Sequence, residues 1–100
     1  YDHLEKRYWM GLAATRQMMK NFEGAVQAYT YAAMLDVEDP NPPMHAADCF
    51  LALEKYQEAE SALQATIHWA SDREEYAGQK ERAEALLQLI EKKEEGGNES

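Results

Sequence analysis

Three side chains that could bind a metal ion or take part in catalysis lie close together in the segment MHAADCF, residues 44–50. His45, Asp48 and Cys49 have the spacing i, i+3 and i+4, which places them on one side of a helix. Imidazole, carboxylate and thiolate groups are common zinc ligands, but one helical turn supplies only three of them. No second His or Cys lies at the usual ligand spacing. The sequence therefore predicts a structural role for this segment and no metal site.

Nucleophilic catalysis is also not indicated. A Cys and a His one turn apart lack a third group to orient the His and an oxyanion hole to receive the developing charge. Glu74 and Glu75 belong to a run of charged residues that is typical of a solvated helix face. The chain also contains no phosphate-binding loop. We therefore expect neither enzymatic activity nor a cofactor.

Composition narrows the classes of partner. The chain has 100 residues, enough for one small domain, and a net charge of -9. This acidic balance argues against binding nucleic acid or an anionic membrane surface. The single cysteine favours a reducing compartment, and neither a secretory signal nor a membrane-length apolar run is present. Because the first residue is Tyr1 and not Met, we expect a fragment of a longer protein.

An internal repeat organises the elements that position these side chains. NFEGAVQAY at 21–29 and KYQEAESAL at 55–63 align with a shift of 34 residues, the period of the tetratricopeptide repeat. The same shift aligns Met10 with Met44 and Ala13 with Ala47. Small residues at such positions let helices approach closely, and large ones fill the grooves between them. A generic helical bundle is the alternative.

The predicted fold is all-α. It consists of about two tetratricopeptide-repeat hairpins and a C-terminal capping helix, arranged as a right-handed solenoid. Asn21 is the expected N-cap of the second helix, and Ser71 or Asp72 is expected to cap the fifth helix. A proline-rich loop is expected over 37–43, with Pro43 suited to the first turn of the third helix. The predicted bounds are 1–93 for the domain, about 6–39 and 40–73 for the repeats, about 73–93 for the capping helix, and 94–100 for a disordered tail.

Several stretches resemble a particular family. The segments YWMGLAATRQMMKNFEGAVQAYTYAAMLD and EDPNPPMHAADCFLALEKYQEAESAL are similar to the class II chaperones of bacterial type III secretion. That family typically shows a G-L-[GA]-A-x-x-Q segment and a P-[FV]-H-[AT]-[AG]-[EQ]-C stretch. The residues that match these patterns are Gly11, Leu12, Ala13, Ala14, Gln17, Pro43, His45, Ala46, Ala47 and Cys49.

The resemblance implies a function, a compartment and partners. Such chaperones hold hydrophobic translocator proteins in the bacterial cytoplasm, keep them competent for secretion and prevent their premature association. The resemblance implies that the client supplies an extended segment with Pro and Leu near its N-terminus. It also implies that an N-terminal helix and a first repeat, which usually carry the homodimer contact, are missing here. Glu54 departs from the family pattern because it occupies a turn position that usually holds Gly.

The candidate binding surface lies on the first helix of each repeat. Positions 2, 5, 9 and 12 of a repeat share one side of that helix, which lines the concave surface of a tetratricopeptide solenoid. We call these eight residues the inner face, and we add Met18 and His45 to the predicted peptide-binding groove. The inner face consists of Arg7, Met10, Ala14 and Gln17, followed by Asn41, Met44, Asp48 and Leu51.

Methionine has a flexible side chain that suits a groove accepting several sequences, although it also fills gaps in cores. We assign Met10 and Met44 to the groove, and Met19 and Met34 to the core. Two other kinds of binding protein are possible. An adaptor that captures a C-terminal carboxylate would need a cluster of Lys, Arg and Asn on the concave face, for which only Arg7 and Asn41 are available. A regulatory partner of a transcription activator is inferred from the resemblance alone.

Overall fold

The computed structural model describes residues 3–98 of the chain, with side chains described through residue 94. This part of the chain contains helices and turns and no strand, as the predicted all-α class requires. None of its helices is both long enough and apolar enough to cross a membrane. The elements are α1 (His3–Met18), α2 (Phe22–Leu35), α3 (Asn41–Ala52), α4 (Tyr56–Ala70), a 3-10 turn (Glu74–Tyr76) and α5 (Ala77–Asn98).

Consecutive helices form hairpins that stack on one another. Each α-helix packs mainly against its neighbours in the chain, so α1 pairs with α2 and α3 with α4, while α2–α3 and α4–α5 contacts join the hairpins. The 34-residue period appears directly in the packing, because Ala13 and Ala47 are fully buried, as are Ala25 and Ala59. Side chains of this size let two helix backbones approach closely. The predicted repeat therefore appears as the same close helix–helix contacts in the α1–α2 hairpin and in the α3–α4 hairpin.

Two hydrophobic clusters share α3. The first joins α1, α2 and α3, and the second joins α3, α4 and α5, while Phe50 packs against both. Because α3 contributes to each cluster, neither hairpin has a separate core. The buried members are Ala13, Ala25, Ala28, Tyr29, Ala46 and Cys49 in the first cluster, and Met44, Ala47, Ala59, Leu63, Ala83 and Ile90 in the second.

The turn between α1 and α2 explains the start of the second helix. The side-chain oxygen of Asn21 accepts the backbone N–H of Gly24 at 3.1 Å, so the predicted N-cap is confirmed. The side chain of Arg16 donates to the carbonyl of Gly24 at 3.0 Å. A Cβ on Gly24 would lie only 2.6 Å from Nδ2 of Asn21, and glycine leaves the space that the cap occupies.

The third helix begins earlier than the sequence predicts. Pro43 lies in the first turn of α3 as expected, but this helix already starts at Asn41 and also contains Pro42, within the stretch that was expected to be a loop. The first backbone N–H groups of a helix have no partner within it, so proline costs little there. Asp39 accepts the N–H of Asn41 at 2.9 Å and also contacts Lys6, which ties the start of α3 to α1.

The fifth helix also differs from its prediction. Neither Ser71 nor Asp72 caps it, because the hydroxyl of Ser71 donates to the carbonyl of Ile67 at 2.7 Å and Asp72 adopts a φ of 65° in the turn. The 3-10 turn then precedes α5, which starts at Ala77.

Part of the predicted tail is helical. Residues 94–100 were expected to be disordered, but α5 continues through Asn98, and 99–100 lie outside the described residues. Lys92, Lys93 and the glutamates around them have high helix propensity, and extending an existing helix is far easier than starting one.

Lys20 and Glu54 occupy equivalent turns, 34 residues apart, and both adopt left-handed backbone angles, with φ of 64° and 59°. An L-residue pays a steric cost in this region that glycine avoids. We predict that Glu54→Gly raises the free energy of unfolding by about 0.5–1 kcal/mol. Urea denaturation followed by circular dichroism measures this change.

The matched control is Gln64→Gly on the exposed side of α4. There glycine only loosens a helix interior, so stability should fall by about 0.5–1 kcal/mol. A loss of stability in both variants would contradict the assignment of strain to the turn at Glu54.

Candidate peptide-binding surface

The α1 part of the inner face is largely accessible. Arg7 and Ala14 are exposed, while Met10 and Gln17 are partly buried. Met10 packs against the first cluster. Met18, which was also predicted for the groove, is 84% exposed at the end of α1. This helix therefore presents a surface that combines a cation, a small residue, an amide and a thioether.

On α3 the inner face is partly covered. Asn41, Asp48 and Leu51 are partly buried, but Met44 is only 3% exposed and belongs to the second cluster. The assignment of Met44 to an open groove is therefore corrected, and Met44 packs in a different cluster from Met10. The physical reason is that α5 supplies Ala83 and Ile90 to the same cluster.

The two methionines that were assigned to the core are also corrected. Met19 is 74% exposed and Met34 is 69% exposed. Met19 lies in the turn after α1, whereas Met34 lines a hollow of about 270 Å³ between α2 and α4, with Val37 and Trp69 among its other walls. Sequence periodicity did not separate these residues from core positions.

Two aromatic rings and an amide connect α1, α2 and α3. The ring of His45 stacks on Tyr29 with 5.3 Å between centroids and 20° between planes. The Tyr29 hydroxyl donates to Oε1 of Gln17 at 2.8 Å. Burial, together with the nearby Cys49 and Asp48, raises the pKa of Tyr29, so its hydroxyl remains a donor. These contacts fix the orientation of two predicted groove residues, Gln17 and His45.

The three side chains of the MHAADCF segment have separate environments. His45 stacks on Tyr29, Asp48 pairs with Arg82 of α5, and Cys49 is fully buried in the first cluster. Burial, with a smaller effect of Asp48, raises the pKa of the Cys49 thiol to about 11. Within the residues whose side chains are described, no group of three or more His, Cys, Asp or Glu could hold a metal ion.

Helix α5 adds two residues that sequence reasoning missed. The Nε2 of Gln79 donates to Oδ1 of Asn41 at 3.1 Å, and Arg82 donates to both carboxylate oxygens of Asp48 at 3.1 and 2.8 Å. The repeat shift offered a signal for one of them, since 34 residues separate Asp48 from Arg82. The inner face therefore loses Met44 to the core and continues onto α5 through Gln79 and Arg82.

Beside Leu51, this surface contains a small apolar hollow of about 170 Å³. Its size suits one aliphatic side chain. Lys93 lies at its edge, with Nζ 4.8 Å from the centroid of the Tyr56 ring. Besides Lys93, its walls are Leu51, Tyr56, Leu86, Leu89 and Ile90.

The burial of Met44 leads to a stability prediction. We expect Met44→Ala to lower the free energy of unfolding by about 2–4 kcal/mol because it leaves a cavity in the second cluster. Met18→Ala is the control, since Met18 is 84% exposed, and should change stability by less than about 0.5 kcal/mol. Equal effects of both substitutions in thermal or urea denaturation would contradict the core assignment of Met44.

The burial of Cys49 predicts slow alkylation in the folded chain. A pKa near 11 leaves little thiolate at pH 8, at least about 100-fold less than in an exposed cysteine. Iodoacetamide should therefore modify Cys49 much faster in 6–8 M urea than in buffer, as followed by mass spectrometry. Modification at equal rates in both conditions would show that the thiol is accessible in the fold.

The chain is similar to proteins with known roles. A tetratricopeptide-repeat family model matches residues 8–39. The Low calcium response locus protein H of Yersinia pestis is 35% identical over 94 residues, which cover 94% of this chain and 56% of that protein. The chain therefore spans little more than half the length of this relative.

Solved structures have the same architecture. The type III secretion translocator chaperone SycD of Yersinia enterocolitica matches with a TM-score of 0.88 at 34% identity, covering 94% of this chain and 65% of that one. PcrH, a protein of Pseudomonas aeruginosa, matches with a TM-score of 0.87 at 34% identity, covering 93% of this chain and 70% of that one. In that structure PcrH is in complex with the chaperone binding region of PopD. The agreement of sequence and fold over nearly the whole chain shows that it belongs to the tetratricopeptide-repeat chaperones of type III secretion translocators.

Proposed function

We propose that this chain binds a hydrophobic translocator protein along its inner face, keeps it soluble and secretion-competent, and prevents its premature association. The main support for this proposal is the structural similarity of the chain to PcrH in complex with the chaperone binding region of PopD, with a TM-score of 0.87. Together with family membership, it supports a binding module without enzymatic activity in the bacterial cytoplasm.

The surface suits an extended segment of another chain. Exposed Ala14 leaves room for a main chain to approach α1, and the exposed guanidinium of Arg7 can donate to carbonyl oxygens. The hollow beside Leu51 can take one aliphatic side chain of the client. An extended peptide gains affinity from main-chain hydrogen bonds and specificity from pockets for its side chains.

Binding of this kind would act by covering apolar surface. A translocator segment that is exposed before export can aggregate or associate too early, and the chaperone would occupy that surface. The net charge of -9 favours solubility of the resulting complex. Family resemblance supports two further partners, a transcriptional regulator and a second copy of the chain.

We expect Ala14→Glu to weaken binding of a peptide carrying the PopD chaperone binding region by about tenfold or more, because it places a bulky carboxylate where an apolar segment must approach. Isothermal titration calorimetry measures the affinity. Ser61→Glu on the exposed side of α4 is the control and should bind as the wild-type chain does.

Failure of the wild-type chain to bind the peptide would contradict the proposed function for this class of client. Equal weakening by both substitutions would show that added negative charge, and not the inner face, determines the affinity. Circular dichroism of both variants should show unchanged helicity.

A further inference from the structure

Two polar pairs cross from α3 to α5. The Asn41–Gln79 pair joins the amide side chains of the two helices, and the Asp48–Arg82 pair joins a carboxylate to a guanidinium. Both α3 members belong to the inner face. The side chain of Arg82 is 53% accessible, so the Asp48–Arg82 pair lies at the surface of the fold and not within a core.

The amide pair retains unused hydrogen-bonding groups. Its bond uses Nε2 of Gln79 and Oδ1 of Asn41. An amide side chain carries both an acceptor oxygen and an NH₂ donor, so Oε1 of Gln79 and Nδ2 of Asn41 remain. Within the described part of the chain, neither atom has a hydrogen-bond partner. One acceptor and one donor are what the N–H and C=O groups of a peptide main chain require.

The ion pair also retains donors. The Arg82 guanidinium has five N–H donors, and its two bonds to Asp48 leave others for a carbonyl oxygen. The two-point contact holds the planar group in one orientation. A group that is already held loses less freedom when a ligand binds, which favours its use in recognition.

The spacing of the pairs matches an extended chain. Asn41 and Asp48 are seven residues apart, which is about 10.5 Å along a helix. An extended peptide covers this distance in about three residues. The hollow at Leu51, Leu86 and Leu89 follows less than one helical turn after Asp48.

We infer that Gln79 and Arg82 of α5 are positioning residues that hold the main chain of an extended client segment. The amide pair binds one client residue, and the guanidinium binds the main chain about three residues further along. The hollow then takes the aliphatic side chain that follows. This inference rests on the proposed function and specifies how its site recognises the client. Recognition of the client then depends on its main-chain groups as well as on its apolar side chains.

The test uses a peptide with the PopD chaperone binding region and a series in which each main-chain nitrogen is methylated in turn. With the wild-type chain, one methylated position should weaken binding about five- to tenfold more than its neighbours, because it removes the N–H that Gln79 accepts. Gln79→Ala should weaken binding of the unmodified peptide about five- to tenfold and remove the special sensitivity of that position.

The matched control is Gln88→Ala, which changes the same residue type at an exposed position of the same helix, nine residues on and therefore on its opposite side. It should leave both the affinity and the methylation profile unchanged. Arg82→Ala should weaken binding about five- to tenfold, and Arg82→Lys should recover only part of this loss because lysine lacks the planar fork. Unchanged circular dichroism separates these losses from unfolding.

Two failures have different meanings. If the wild-type chain binds the peptide while Gln79→Ala and Arg82→Ala bind equally well, the positioning role is wrong and the proposed function stands. If the wild-type chain binds no PopD peptide, the proposed function fails, and the inference fails with it. A methylation profile with no outstanding position would also overturn the inference, and this result requires no variant protein.

Discussion

Close contact between helices at buried alanines is the constraint on which the rest of the structure depends. Ala13, Ala25, Ala47 and Ala59 have no exposed surface. Ala13 and Ala47 occupy equivalent places in the two hairpins, and so do Ala25 and Ala59. A larger side chain at such a position would push the helix backbones apart, which close-packed interiors tolerate poorly. The tight seams make consecutive helices stack in a fixed order and leave one side of α1, α3 and α5 available for a partner.

The stacking order also determines which inner-face residues can serve that partner. Because α3 packs between two clusters, its side chains divide between core and surface within a single turn: Met44 is buried, whereas Asp48 reaches the ion pair with Arg82. The same arrangement orients Gln17 through Tyr29. The resulting surface combines fixed polar groups with a small apolar hollow, a combination that suits an extended segment with aliphatic side chains.

Much of the fold could be predicted from local sequence signals. The 34-residue period predicted the hairpins, and Asn21 predicted the start of α2, because repeat spacing and capping are local properties. The burial of Met44 and the contact of Gln79 with Asn41 depend on how α5 docks against α3, which no local pattern specifies, whereas the 34-residue shift from Asp48 offered a signal for Arg82. Proline preference also misplaced the start of α3, since the first helical turn has no need of the missing N–H groups.

The central claim is that the client lies on α1, α3 and α5. The most direct measurement is an NMR chemical-shift map of the isotopically labelled chain as an unlabelled peptide with the PopD chaperone binding region is added. Our account predicts that the largest shifts fall on the backbone and side-chain amides of these three helices, including the side-chain NH₂ groups of Asn41 and Gln79. Shifts confined to α2 and α4, around Met34 and Trp69, would contradict it.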